Sequence, residues 1–508
     1  MRRVLASFGT LALFVIALHP LWLILVVMTG FAANAHGQFL TCKTGSLQDL
    51  QEAIKAHNEH VHRMDRKFKD VWYYQGAVPE EISNEVTLDG IKAYLKQLQP
   101  RRTAVLFHAA SEDRLCTWLI THEEPVISGY PRILSPDDWK KVDPSRWQEL
   151  GVRSTRKPRV ATEKNVPAPL DEADSIAGWE ALLAGLSSLL FPEKVIDELL
   201  RAKINTLIVV PISIRAGRFE SESENDSATL IGKEKTLREL PAANHLVLSI
   251  GTVPFFALPI RGKQLVDRMS VTIAPGFFIF GRRPDYLRRV FKTPIVEGDP
   301  RYPGLEPLPG ARDEAETIAN KLGATALVGE AARSRGLLDA LRKQAASVDF
   351  ILLSTHGSAS EKNPVDESYL SFSDEPLKAR ELSQLREKVP PREQKGRFEM
   401  DRPLLRQRPL VIMSACETAL GKNFAVGTIG LARAWQWAGA SNVVMSLWSV
   451  DDNATRNLMV RFVKYILSGE PTDRALRKAA IDARLLDFNP AYWASFSLFG
   501  APEVIPGK

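Results

Sequence analysis

Charge is missing from the start of this chain. After Arg2 and Arg3 no Asp, Glu, Lys or Arg occurs before Lys43, and Val4 to Ala33 is almost wholly apolar. With no polar face, that run does not suit a helix of a globular core. It is long enough to cross a bilayer, and it ends in Ala33-Asn34-Ala35, a small-x-small pattern that signal peptidase can cut. The paired arginines favour an inside start. Residues 1–35 therefore read as a signal peptide or a membrane anchor. The rest is expected outside the cytoplasm, periplasmic or anchored in the inner membrane.

Other scarcities exclude whole classes. The net charge is +6, and residues 378–408 hold ten Lys or Arg against five Asp or Glu, so this one segment supplies most of the excess. The remainder is nearly neutral, without the broad basic face of a nucleic-acid binder. No helix-turn-helix, zinc-finger or RNA-binding aromatic motif is present, and no nucleic-acid partner is expected. Gly427 and Gly430 do not make a GxGxxG run and no acidic ribose partner precedes them, which removes nucleotide binding. His57, His60 and His62 beside Glu59 lack a Cys or His partner at ligand spacing. Packing and solvation explain them, and no metal is expected. Cysteine is limited to Cys42, Cys116 and Cys416. An oxidising compartment would allow Cys42 and Cys116 to pair; otherwise both are buried thiols.

What remains is globular, with 45% hydrophobic and 25% charged residues, and 508 residues leave room for two to four domains. Ser46 can cap a helix over 46–68, where Leu47, Leu50, Ile54, His57, Val61, Met64 and Phe68 recur by threes and fours. Residues 103–108 and 115–120 read as a β-hairpin, completing an N-terminal region over 36–134. A charged, Pro-rich stretch over 135–175 reads as a linker. A helix with Trp179, Leu182, Leu183, Leu186 and Leu190 on one face follows, then strands over 205–211 and 244–250 with an acidic, Ser-rich loop between them. A second half opens at Thr293 with another strand and the turn Gly298-Asp299-Pro300, and Ala311 to Leu322 repeats the strand–helix order. That alternation predicts a doubly wound α/β sandwich.

Two apolar runs carry the chemistry. Leu410 to Met413 is a strand buried on both faces, followed at once by Ser414, Ala415 and Cys416. Asp349 to Gly357 repeats the design and ends in Thr355, His356 and Gly357. Open α/β sheets bind ligands at the carboxyl ends of their strands. A thiol and an imidazole delivered to one rim make a nucleophilic site. There Cys416 is the nucleophile, His356 the proton carrier, and the N–H groups of Gly357 and Cys416 the oxyanion donors. A third rim segment, Trp448 to Asp452, places Asp452 as a helix N-cap. Asp451, with Trp448, is left to meet substrate. The basic segment 378–408 reads as a solvated insertion, or else as a flap, a self-cleavage segment or a contact with anionic lipid.

These same residues resemble the CHAT domain, a caspase-like family related to the caspases and separases. The likeness lies in THG at 355–357, SACETALG at 414–421, GTIGLARAWQWAGA at 427–440, VVMSLWSVDDNAT at 443–455 and YWASFSLFG at 492–500, and it covers roughly residues 170 to 503. It implies a caspase-like three-layer α/β/α sandwich with a mostly parallel sheet. The non-catalytic half falls in 176–290 and the catalytic half in 291–508. It also implies a Cys–His dyad that hydrolyses peptide bonds through a thioester, with a protein or peptide substrate and no cofactor. Acidic residues line the pockets of related Arg-directed peptidases, which suggests Asp451 as a partner for a basic substrate side chain. Two departures from the pattern matter. Glu417 and Thr418 follow the cysteine where caspases carry other residues, so cleavage after Asp is not implied. No tetratricopeptide-like period precedes the domain, although such repeats often do. The competing reading is a catalytically idle interaction domain.

Overall fold

A computed structural model describes residues 44–72, 86–110, 114–123, 132–133, 172–215, 247–288, 290–360, 363–388, 401–416, 418, 422–424 and 427–505. In chain order its main elements begin with α1 (Leu47–Trp72), α2 (Leu88–Gln97), β1 (Thr103–Ala110), β2 (Arg114–Ile120) and β3 (Arg132–Ile133). Next come α3 (Glu172–Leu190), α4 (Glu193–Arg201), β4 (Thr206–Val210) and β5 (Ser270–Ile273). The second half holds β6 (Pro294–Pro300), α5 (Pro309–Leu322), β7 (Leu327–Gly329), α6 (Ser334–Lys343), β8 (Phe350–Ser354) and β9 (Leu410–Ser414). It ends with α7 (Leu431–Ala438), β10 (Asn442–Ser446), α8 (Asp452–Leu467), α9 (Thr472–Arg484) and β11 (Phe496–Phe499).

These eleven strands form one sheet in the order β7-β6-β8-β9-β10-β11-β5-β4-β1-β2-β3. Strands β7, β6, β8, β9 and β10 run parallel to one another. β11 reverses against β10, and β5, β4 and β1 continue in its direction before the antiparallel hairpin β1–β2 and edge strand β3. The fold is therefore mixed α/β with a large, mostly parallel sheet made of two blocks of opposite direction. Every residue of β4, β8, β9 and β10 is buried. Successive side chains point to opposite faces, so both faces of the sheet are covered.

Where helix meets sheet closely, glycine makes the room. A Cβ on Gly298 of β6 would fall 2.5 Å from the Ala315 Cβ and 2.8 Å from the Ala311 carbonyl oxygen of α5. The small face of α5 thus lies directly on the strand that leads to the site.

Several expectations change. The hairpin is present, but it extends the main sheet: Thr103 pairs with Thr206 and Phe107 with Val210. Strand pairing over a hundred residues leaves no local mark in sequence. Of the strand expected over 244–250, Val247–Ser249 is described, and it pairs with Ser213–Arg215 in a separate ribbon. The neighbour of β4 is Ser270–Ile273 instead. The segment 378–408 is not wholly a loop, since a helical turn spans Ala379–Ser383 and Arg386–Lys388 pairs with Asp401–Pro403. Its residues 389–400 lie outside the described residues, as do residues 1–43, most of the 135–175 linker and the acidic Ser-rich insert. Among the described residues no single helix is long and apolar enough to cross a membrane. Nor do they contain a cluster of His, Cys, Asp or Glu able to hold a metal ion. His57 packs edge-on against Phe107 and Phe277, with its Nε2 3.4 Å from the Pro211 carbonyl oxygen. Cys116 is disulfide-bonded, to a partner outside the described residues, whereas Cys416 keeps its thiol.

Candidate functional site

The site is built from the ends of two neighbouring strands. β8 and β9 run parallel in register from Phe350↔Leu410 to Ser354↔Ser414. His356 and Cys416 each follow two residues later, so they leave the sheet at the same level and on the same rim. The Thr355 N–H donates to the Ser414 carbonyl at 3.2 Å, carrying the ladder one step past the strands. Beyond it the two turns touch. A Cβ on Gly357 would lie 2.7 Å from the Cys416 carbonyl oxygen, 3.1 Å from the Ala415 Cβ and 3.4 Å from the Cys416 nitrogen. Only a residue without a Cβ lets the backbones approach this closely.

The imidazole is held from above. His356 Nε2 lies 2.8 Å from the Glu306 carbonyl oxygen and donates to it. That bond places the proton on Nε2 and leaves a lone pair on Nδ1. Nδ1 is buried and has no hydrogen-bond partner among the described residues. The loop 301–308 that offers this carbonyl is braced at both ends. Asp299 accepts the Leu308 N–H at 2.7 Å and the Arg312 Nε–H at 3.0 Å. At the far end Asp452 accepts the Gly310 N–H at 2.6 Å, tying the start of α8 to the start of α5. Behind the imidazole the Thr355 hydroxyl donates to the Ser371 carbonyl at 2.7 Å, and the Ser371 N–H donates to the His356 carbonyl at 2.9 Å. Both side chains are closed off from solvent, with His356 2% exposed and Cys416 fully buried.

The residues expected to meet substrate are engaged in the fold. Asp451, not Asp452, is the N-cap of α8: its Oδ1 accepts the Ala454 N–H at 2.8 Å. Asp452 is the first helical residue and bonds Gly310. The two roles are exchanged because the helix begins one residue earlier than its sequence suggests. Trp448 is 1% exposed, donates its indole N–H to the Ala491 carbonyl at 3.0 Å, and packs against Trp179 with ring centroids 4.9 Å apart. It is a core residue joining α3 to the rim.

Other residues around the two turns carry no mark in the sequence. The partner of His356 is a backbone carbonyl, which carries no residue-type signal. Asp299 was visible only as part of a turn. Ser446 and Thr418, which hold the Cys416 turn, sit in unremarkable strand and loop contexts.

The comparisons extend this picture. The chain is similar to tetratricopeptide repeat protein 28 of Mus musculus, at 29% identity over 289 residues, which are 49% of this chain and 12% of that protein. The Homo sapiens protein of the same name matches at 29% identity over 238 residues, 41% of this chain and 9% of that protein. The chain thus spans only a small part of these relatives. Among solved structures, the Saccharomyces cerevisiae separase–securin complex aligns at 8% identity and a TM-score of 0.49, over 92% of this chain and 35% of that one. The Arg-specific cysteine proteinase gingipain R aligns at 8% identity and a TM-score of 0.35, over 63% and 69%. Residues 228–501 match the family model of the CHAT domain, and with more than half of its length inside that match, the chain belongs to the CHAT domain family.

Proposed function

We propose that this protein is a cysteine endopeptidase that cuts peptide bonds in proteins or peptides through Cys416 and His356. One observation carries the reading: the turn that bears His356 and the turn that bears Cys416 meet backbone to backbone at the ends of adjacent parallel strands, and the Nε2 bond to Glu306 leaves the Nδ1 lone pair unbonded among the described residues. Nδ1 takes the thiol proton, and the thiolate attacks the scissile carbonyl carbon. The carbonyl electron pair moves to oxygen, where the N–H groups of Cys416 and Gly357 stabilise it. The Gly357 N–H suits this role. Gly357 pairs with Leu370 while the Ser371 N–H bonds the His356 carbonyl, a pattern in which residue 357 itself makes no bond across the ladder. Collapse to the thioester expels the amine, which takes its proton from Nδ1. Water, giving its proton to Nδ1, then releases the acid.

A second reading, an idle interaction domain, is favoured by the full burial of the Cys416 side chain. Labelling the wild type, Cys416→Ala and His356→Ala proteins with an alkyne-bearing chloroacetamide separates the two, alongside a mixed peptide-library cleavage assay. The peptidase reading expects labelling and cleavage in the wild type, no cleavage with Cys416→Ala, and a loss of at least about 100-fold with His356→Ala. Labelling that ignores both substitutions, with no peptide cut, leaves the interaction domain.

We also place the enzyme outside the cytoplasm, at or near the inner membrane. The apolar run from Val4 to Ala33 and the half-cystine Cys116 support this. Amino-terminal sequencing of protein recovered from its native compartment should find a start near residue 36 for a cleaved signal, or Met1 for an anchor. Recovery of intact protein from the cytosol would refute the placement.

A further inference from the structure

Two buried hydroxyls beside the Cys416 turn take no part in the chemistry above, yet their hydrogen bonds are all spent on that turn. The Ser446 hydroxyl, at the end of β10, donates to the Ala415 carbonyl oxygen at 2.5 Å. It also accepts the Thr418 N–H at 3.1 Å. The Thr418 hydroxyl accepts the Ser446 N–H at 2.8 Å, and the two hydroxyl oxygens are 3.2 Å apart. A serine has one hydroxyl hydrogen, and that of Ser446 goes to Ala415, so the hydrogen between the two oxygens belongs to Thr418. Both residues are buried, which makes this small network strong and its partial loss costly.

The network fixes a direction. A trans peptide holds its C=O and N–H antiparallel. β9 lies between β8 and β10 in the sheet. Aiming the Ala415 carbonyl at Ser446, on the β10 side, therefore aims the Cys416 N–H toward the β8 side. Gly357 stands there, close to the Cys416 nitrogen. From this we infer that Ser446 and Thr418 are positioning residues that lock the Ala415–Cys416 peptide, so that the Cys416 N–H faces the oxyanion. The inference rests on the peptidase reading and adds to it the side chains that orient the donor. Neither hydroxyl touches the reacting atoms. Without them the peptide is free to rotate, and the donor is lost while sulfur and imidazole remain.

Two probes on the full chain isolate this role. Iodoacetamide joins its methylene carbon to the Cys416 sulfur and expels iodide, with no oxyanion formed. In a peptide aldehyde ending in argininal or leucinal, the sulfur adds to the carbonyl carbon and the electron pair moves to oxygen, which then needs the donor. Thr418→Val keeps the shape and removes the hydroxyl, Thr418→Ser keeps the hydroxyl, and Ser446→Ala removes the link to Ala415. The expected result is aldehyde affinity weakened about 100-fold to 1000-fold in Ser446→Ala and Thr418→Val, and restored in Thr418→Ser. The alkylation rate should stay within about threefold throughout, because the thiolate and its imidazole are untouched. A parallel fall with both probes, or no fall with either, overturns the lock. If wild-type protein binds no aldehyde and its Cys416 alkylates no faster than in His356→Ala, the peptidase reading fails on its own account. The lock is then judged from a crystal structure of Ser446→Ala: a rotated Ala415–Cys416 peptide upholds it, and an unchanged one overturns it.

Discussion

Replacing Arg101 with Met lowers the free energy of unfolding by roughly 3–5 kcal/mol. Arg101 and Asp473 form an ion pair with both side chains almost fully buried. The same guanidinium donates to the Thr206 hydroxyl at 3.2 Å and to the Glu503 carbonyl at 2.9 Å. It thereby fastens the turn before β1, the start of β4, the first turn of α9 and the segment after β11. These are four parts of the fold with no local link between them. Removing the cation leaves the Asp473 carboxyl out of water and without its partner, and that penalty accounts for most of the loss. The double variant Arg101→Met/Asp473→Leu removes both charges and should recover most of it, since an apolar pair of similar volume is often as stable as a buried ion pair. Urea unfolding of the wild type, both single variants and the double variant gives the coupling energy directly. Single variants that lose under about 1 kcal/mol, or a double variant no better than either, would show that the pair is not what joins these segments.

The second large effect is in the pH profile of stability. Glu297, at the centre of β6, is 2% exposed. Burial pushes its carboxyl up from 4.5 to about 8, against the pull of the Arg333 backbone N–H and with the help of Asp374. Between those values the native state holds a proton that the unfolded chain has released, so stability falls as pH rises. His108 on β1 works in the opposite direction. It is fully buried, with Nδ1 3.0 Å from the Thr117 hydroxyl, and burial pushes it down from 6.5 to about 3. From 6.5 downward the unfolded chain takes up a proton that the native state refuses, so stability falls as pH falls. Each slope is about 1.4 kcal/mol per pH unit. Between about 4.5 and 6.5 the Glu297 and His108 slopes oppose each other, and Glu503, which burial pushes up from 4.5 to about 7, leaves a net loss as pH rises. From about pH 7 to 8 the Glu297 loss continues after the Glu503 one has ended, at on the order of 1.4 kcal/mol, and His108 gives a loss of about 2 kcal/mol from 4.5 to 3. Glu297→Gln should flatten the alkaline limb and leave the acid limb in place. Thermal unfolding across this range checks it, and an alkaline limb unchanged in Glu297→Gln would mean that other groups produce it.

Much of the fold could be read from local pattern. Phe350 to Leu353 and Leu410 to Met413 are short apolar runs that stop on polar residues, and they are β8 and β9 as expected. The 3.6-residue spacing of Ala315, Ile318, Ala319 and Leu322 marks the inner face of α5, where the first three are buried and Leu322 is half-buried against the core. What escaped was pairing over distance. Nothing near Thr103 says that it lies beside Thr206, so a hairpin that looked separate is part of the main sheet. Register at a helix start escaped too. Asp451 and Asp452 are equally good caps by type, and their backbone angles decide between them. That the turns bearing His356 and Cys416 lie side by side was legible because both end strands of like design. Their surroundings were not, because the Glu306 carbonyl and the Ser446–Thr418 network act through backbone groups and common hydroxyls. A rim segment such as Trp448 to Asp452 resembles a binding loop in sequence, but burial and capping had already claimed its side chains.

The account turns on whether the Cys416 sulfur is governed by the His356 imidazole. Measuring the iodoacetamide rate of Cys416 against pH, in wild type and His356→Ala, tests this without requiring a substrate. The account predicts fast alkylation that persists into the mildly acidic range in the wild type, and in His356→Ala a curve that is slower near neutrality and displaced to higher pH. Two superimposable curves would contradict it.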